Sequence, residues 1–390
     1  MSSIFVDRSK LSPNYVPEIL PHRDRQLKML FSLYEDSLKH RDEVYLRPTQ
    51  LIGGVGSGKT CTAIRFGEEL ELKAAEEGID LEHVYINCKL EGSKKILLYR
   101  NLLGKVSREI PTRSLSTSEM LHELMRYLID NDKFLLITLD EIGYLLKKTD
   151  EPIIYDFTRL NEIFPSEPCR VIGTIFISRD LSFHQYLDAS ELSSLGRGYI
   201  EFERYNSEQI RDILVLRVDE AFRRGAVDEE IIEFISDVVS KPPINGDVRV
   251  ALDILLYSGL YAEREGYSSI RPEHVRMVLG ETHPFITSED ILGISENGKL
   301  ILLALTRALE ANRTAYVSLR EIREFYHLVC EEENVHPVEE VEEEIQDLID
   351  RGIVVMKSLT QFGITGVTAK DLDRFLTGLR EKIYYGISGF

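Results

Sequence analysis

The feature that most limits what this chain can fold into is the run GGVGSGKT at positions 53–60. It follows an apolar stretch at 49–52 and precedes a helical pattern over 59–75 that stops near Gly78. Four glycines let backbone N–H groups converge with no Cβ in the way, and such N–H groups at the start of a helix form an anion site. The run matches G-x-x-x-x-G-K-[ST], the strand–loop–helix that cradles nucleotide phosphates. Lys59 is then the residue that reaches the β- and γ-phosphates, and Thr60 the hydroxyl that ligates Mg2+. Gly54, Val55, Gly56, Ser57, Gly58, Lys59, Thr60 and Cys61 form the expected phosphate-side set.

From about 47 to 205, short apolar runs alternate with helical stretches, which predicts an α/β domain with a mainly parallel sheet. Strands are expected at 49–52, 83–87, 134–139, 170–177 and 199–202. The third ends in Asp140 and Glu141. A buried strand finishing in two acids places them at the sheet's carboxyl edge, where ligands of open α/β sheets bind. Asp140 is the expected Mg2+ partner, and Glu141 the carboxylate that polarises the attacking water.

Residues 207–280 hold no convincing strand, so an all-helical domain is expected, with Ser207 as N-cap of a helix to 224 and a second helix over 247–264. The last hundred residues give helices near 297–310, 318–333 and 337–351, then a hairpin, which is the order of a winged helix. The predicted domains are 1–204, 205–282 and 283–390. The four cysteines include no CxxC pair, which disfavours zinc ribbons and points to a reduced, cytoplasmic setting. No apolar run is long enough for a membrane span, and no secretory core opens the sequence. A net charge of −19 excludes a protein that coats nucleic acid everywhere, though not a local DNA surface.

The acidic pair and the helical domain after the sheet together resemble AAA+ ATPases. The ordered segments YVPEILPHRDRQL at 15–27, ISRDL at 177–181, SSLGRGYIEFERYNSEQIRDIL at 193–214 and NGDVRVALDIL at 245–255 are similar to the archaeal replication-initiator family. That resemblance covers nearly the whole chain. It implies ATP or ADP as cofactor, with Tyr15, Val16 and Pro17 lining the adenine pocket and Arg23 beside it. It also implies that Tyr205 and Arg217 close on the nucleotide from the lid. Arg249 matches the second sensor, where a planar guanidinium suits phosphate oxygens.

Two positions depart from the family. Arg179 stands where an asparagine usually serves as first sensor, and a guanidinium has no acceptor with which to orient water. Ser190 falls where an arginine finger is expected, and a finger supplies roughly 10³–10⁵ in rate. Nucleotide binding with weak hydrolysis is therefore expected. The implied partners are double-stranded origin DNA, a paralogous initiator subunit and the replicative helicase, with a nucleoid location.

The DNA surface is harder to read. The helix at 337–351 leaves Glu339, Glu340, Glu343, Glu344 and Asp347 opposite its apolar stripe, which repels phosphate. The hairpin offers Lys357, Gln361, Gly363 and Thr365 instead. The resemblance also implies a DNA-touching helical insertion, matched at about 97–124, with Arg100, Lys105, Arg108 and Arg113. The acidic helix also supports an alternative, a regulatory or helicase-loading subunit that acts mainly through protein partners.

Overall fold

Uninterrupted apolar runs such as 134–137 and 175–177 suit strands covered on both faces, and five strands build one parallel sheet. The structure, a computed structural model, describes residues 3–39, 44–92, 94–110, 112, 115–282 and 287–387. The strands are β1 (Arg47–Gly53), β2 (Asp80–Asn87), β3 (Lys133–Asp140), β4 (Val171–Ser178) and β5 (Ile200–Phe202). Their order is β2-β3-β4-β1-β5, and every pairing is parallel. β4 is buried along its whole length. β1 and β3 flank it, so the glycine-rich loop, the acids and the end of β4 open onto one edge. The helices of this unit are α1 (Asp24–Lys39), α2 (Lys59–Glu76), α3 (Lys95–Val106), α4 (Thr117–Asp130), α5 (Ile142–Leu146), α6 (Ile153–Thr158) and α7 (Ala189–Leu195). The expected insertion is thus the pair α3 and α4 between β2 and β3.

The chain divides into two compact units, one of residues 16–205 and one of residues 1–15 with 206–390. This corrects the assignment of residues 1–204 to the sheet domain. The first fifteen residues pack with the helices because their apolar side chains find partners there. Phe5 stacks on Phe222 at 4.6 Å and sits over Gly259, where a Cβ would lie 2.4 Å from its ring. The Val6 N–H donates to the Ala221 carbonyl at 2.8 Å.

The second unit begins with α8 (Ser207–Ala221), α9 (Glu229–Ser240), α10 (Val248–Arg264) and α11 (Pro272–Thr282). Asn206, not Ser207, caps α8, in a reciprocal box with Gln209. The winged part is α12 (Ser288–Leu292), α13 (Glu296–Asn312), β6 (Val317–Ser318), α14 (Leu319–Glu332), α15 (Val341–Asp350), β7 (Val354–Ser358), β8 (Gln361–Ile364) and α16 (Ala369–Ile387). β6 adds a third strand to the hairpin, beside β8. The expected boundary at 282–287 falls mostly on residues 283–286, outside the described residues.

The lid and the winged part, expected as separate domains, share one packed body. Arg276 of α11 is wholly buried and donates to the carbonyls of Ile364 at 3.2 Å, Thr314 at 3.1 Å and Ala315 at 2.9 Å. Burial pulls its guanidinium below the ordinary value, against the pull of Glu273. Gly280 lets α11 approach Gly366, whose carbonyl would lie 2.7 Å from a Cβ there.

One close approach fixes α1 on the sheet. Tyr34 is fully buried, and its hydroxyl donates to the Arg47 carbonyl at 3.0 Å and meets Thr49 Oγ1 at 2.8 Å. A Cβ on Gly173 would lie 2.3 Å from the Tyr34 ring and 2.6 Å from the Arg47 carbonyl oxygen. Gly173→Ala is expected to destabilise the sheet unit by about 1–3 kcal/mol, since a packed core resists added volume. A urea titration checks this, and an unmoved midpoint would contradict the packing.

Candidate functional site

The glycine-rich loop has the backbone its sequence requires. Gly56 and Gly58 have φ of 69° and 87°, values that side chains rarely adopt, and α2 starts at Lys59 immediately afterwards. Gly53 is needed for another reason, since a Cβ there would lie 2.2 Å from the Phe202 carbonyl oxygen of β5. Lys59 is buried and turned onto the loop, donating to the Gly53 and Gly54 carbonyls at 2.6 and 2.7 Å. Cys61, in the first turn of α2, is half-buried, and none of the four cysteines forms a disulfide. Val55 at the loop's crest is 42% exposed.

Across the edge, Thr60 Oγ1 donates to Asp140 Oδ2 at 2.7 Å. The same carboxylate oxygen accepts from the Tyr85 hydroxyl at 2.8 Å, and Oδ1 accepts from the Glu141 N–H at 2.7 Å. Burial, then the adjoining Asp140 charge, pushes the Tyr85 phenol well above its ordinary range, so it stays protonated and donates. Tyr85 was missed in the sequence. The only signal is register, because Tyr85 pairs with Thr138 on β3, two residues short of the acid. Among the described residues no group of three or more His, Cys, Asp or Glu gathers to hold a metal. Thr60 and Asp140 nevertheless fit Mg2+, an ion that usually takes one or two protein ligands and fills its sphere with phosphate oxygens and water.

The loop is held from behind by Arg23, expected beside the adenine, and by Tyr205, expected to close from the lid. Arg23 is buried and donates from Nε and Nη2 to the Ser57 carbonyl at 3.0 and 2.7 Å, and from Nη2 to the Glu203 carbonyl at 3.0 Å. Its guanidinium stacks 3.9 Å from the Tyr205 ring centroid. The Tyr205 hydroxyl lies 2.6 Å from where a Cβ of Gly58 would project. Burial pushes this phenol up to about 12. Arg23 and Tyr205 therefore brace the loop backbone, and Tyr205 belongs to the sheet unit rather than the lid. Val16 is half-buried and Pro17 buried at the start of the same unit.

The remaining residues of the set belong to the other unit. Arg217 is buried, contrary to a solvent-facing helix arginine, and lies over the Tyr15 ring at 4.7 Å and beside Glu220 at 3.5 Å. Tyr15 in turn donates to Glu220 at 3.2 Å. Arg249 is exposed in the first turn of α10, whose N-cap Asp247 accepts from its backbone N–H. At the departures from the family, Arg179 pairs with Glu141 at 3.3 Å, and Ser190 lies in the first turn of α7.

The DNA-facing residues divide. Gln361 is exposed, as are Arg108 and Arg100. Gly363 and Thr365 are buried, so they do not present a wing surface. A Cβ on Gly363 would lie 2.5 Å from the Ala315 carbonyl oxygen, which shows a strand approach instead. Lys357 is bound to Glu233 of α9 at 2.5 Å, and Lys105 to Glu91 at 2.7 Å. Arg113 lies outside the described residues. On α15, Glu342 and Glu343 are exposed, and Glu344 accepts from Ser295.

A parallel sheet of this order, with a P-loop on β1 and an acid on β3 hydrogen-bonded to its threonine, defines an AAA+ ATPase, here followed by a helical lid and a winged helix. Family comparisons divide the chain the same way. Residues 47–187 match the AAA domain, 211–278 the Cdc6 AAA+ ATPase-type lid domain, and 289–366 the C-terminal winged helix domain of CDC6. The chain is 31% identical over 355 residues to the ORC1-type DNA replication protein of Thermococcus kodakarensis, covering 89% of this chain and 82% of the relative. The crystal structure of Cdc6p from Pyrobaculum aerophilum matches with a TM-score of 0.83 at 29% identity, over 97% of this chain and 99% of that one. The Aeropyrum pernix ORC1 protein in complex with DNA matches with a TM-score of 0.64 at 27% identity, over 97% and 98%. The chain belongs to the archaeal ORC1/Cdc6 family of replication initiators. Among the described residues no helix is long and apolar enough to cross a membrane.

Lys59→Ala is expected to weaken ATP and ADP binding by about 30-fold or more, roughly the 2 kcal/mol lost when a buried charged partner is truncated. Equilibrium titration with a fluorescent nucleotide measures it, and an unaltered affinity would refute the site.

Proposed function

We propose that this initiator is a nucleotide switch that binds double-stranded origin DNA, with ATP or ADP held at residues 54–61 and slow intrinsic hydrolysis. The observation that carries this reading is the geometry of Lys59, Thr60 and Asp140 around a loop braced by Arg23 and Tyr205. Thr60 and Asp140 would hold Mg2+, which when bound would neutralise phosphate charge. Glu141 accepts the proton of the attacking water as the bond between the γ-phosphorus and the β–γ bridging oxygen breaks. Tyr15, Val16 and Pro17 serve the adenine side, and Arg217 and Arg249 answer to nucleotide from the lid, as the family resemblance suggests. With Ser190 in place of a finger, a paralogous subunit lends an arginine in trans, or the nucleotide stays bound for long periods. Purified protein that retains ADP fits this; brisk turnover by the lone chain does not.

DNA contact is proposed at the wing tip around Gln361 and at Arg108 of the insertion, with the initiator thereby placed on the nucleoid. Fluorescence anisotropy with origin duplex tests it. Arg108→Glu should weaken binding and reduce the magnitude of the log–log salt slope by about one, as expected when one phosphate contact is lost. Salt-insensitive binding, or none with or without a paralogue, would refute DNA recognition. The exposed acids of α15 favour a second reading, in which the winged part docks a protein such as the replicative helicase. Charge reversal at Glu342 and Glu343 that spares DNA affinity and abolishes function would select that reading.

A further inference from the structure

The strand register brings two unlike residues together at the catalytic edge. β3 and β4 pair up to Leu139 and Phe176, so the chain just beyond each strand leaves the sheet side by side. Gly143, the second residue of α5, comes within van der Waals reach of Ser178, since a Cβ on it would lie 3.4 Å from the serine hydroxyl. Glu141 itself is held in the left-handed region at φ 54°, with its N–H bound to Asp140 Oδ1 at 2.7 Å. The backbone therefore sets the direction in which its side chain leaves. In that direction stands Arg179, whose Nη2 meets Glu141 Oε1 at 3.3 Å.

We infer that Arg179 is a positioning residue that restrains hydrolysis by holding the Glu141 carboxylate as its ion-pair partner. This rests on the assignment of Glu141 as the acceptor of the water proton. In the hydrolytic step the water oxygen bonds to the γ-phosphorus, the bond to the β–γ bridging oxygen breaks to release ADP, and the water proton passes to Glu141. An oxygen already receiving a guanidinium N–H is turned from that proton, and the guanidinium brings no acceptor to the water. An asparagine at the same place has a shorter reach, carries no charge and offers a carbonyl oxygen. The slow turnover proposed above thus has a cause within the chain, separate from the serine at the finger position. Both partners are partly solvent-exposed, at 54% for Arg179 and 30% for Glu141, so the restraint is a matter of geometry rather than of strong binding.

The test uses the full chain under single turnover, with radiolabelled ATP and Mg2+. Arg179→Asn should raise the hydrolysis rate constant at least about tenfold, a fraction of what a freed general base contributes. ATP affinity should stay within about threefold, because the pair touches the acceptor and not the phosphate loop. Arg179→Lys, which keeps the charge, should remain near the wild-type rate. Adding Glu141→Gln to Arg179→Asn should erase the gain. A rate for Arg179→Asn equal to or below wild type would overturn the restraint, as would a gain that survives Glu141→Gln. Loss of the nucleotide reading would look different, because Lys59→Ala would then bind ATP as well as wild type does.

Discussion

One hydrogen bond joins the two halves of the nucleotide edge, the 2.7 Å contact from Thr60 to Asp140. Thr60 is fixed by the glycine loop and the first turn of α2, and Asp140 by the last residue of a buried strand. The contact exists only if β1 and β3 stand on either side of β4 with their ends level. The parallel order of the sheet meets that requirement, and Tyr85 and the Glu141 N–H occupy two more of the carboxylate's four lone pairs, which leaves one on Oδ1. Everything proposed for phosphate, metal and water follows from the level placement of these strand ends.

A glycine-lined loop pays for its freedom in order, and the structure restores that order from behind. Arg23 reaches the Ser57 and Glu203 carbonyls while stacked on Tyr205, which ties the loop to the segment after β5. The guanidinium has the fixed fork that such a bracket needs, whereas an ammonium would act as a point charge. Lys59, folded onto the Gly53 and Gly54 carbonyls, is already within the loop's own pocket of acceptors. The loop's shape is thus held by protein contacts, and preorganisation of this kind lowers the ordering cost of binding.

Much of this was legible in the sequence because the informative residues act through their own backbone. The loop glycines, the five strand runs and the acids at 140 and 141 are local signals, and each structural strand lies within three residues of its expected bounds. What escaped depends on partners far along the chain. β6 is two residues long and is a strand only because Val317 and Ser318 pair with Phe362 and Gln361. α15 starts at Val341 rather than 337, since the backbone at Glu340, with ψ 61°, is not helical. The burial of Gly363 and Thr365, the capture of Lys357 by Glu233 and the bracket made by Arg23 all involve contacts that no residue-type pattern encodes. α16 was available as a stripe of Leu372 and Leu376, both buried, and went unread.

The second unit shows how a nucleotide signal would leave the lid. Arg276, buried among three carbonyls of the winged part, and the Gly280 approach to Gly366 make the lid helices and the wing a single packed body. A change in the lid would therefore reach the wing through these packed contacts. The account still begins at the edge formed by Thr60 and Asp140, and calorimetric titration of ATP with and without Mg2+ addresses it most directly. Magnesium should tighten ATP binding to the wild-type chain, and Asp140→Asn should lose most of that increment while metal-free ADP affinity stays unchanged. An equal magnesium effect in both proteins would contradict the account.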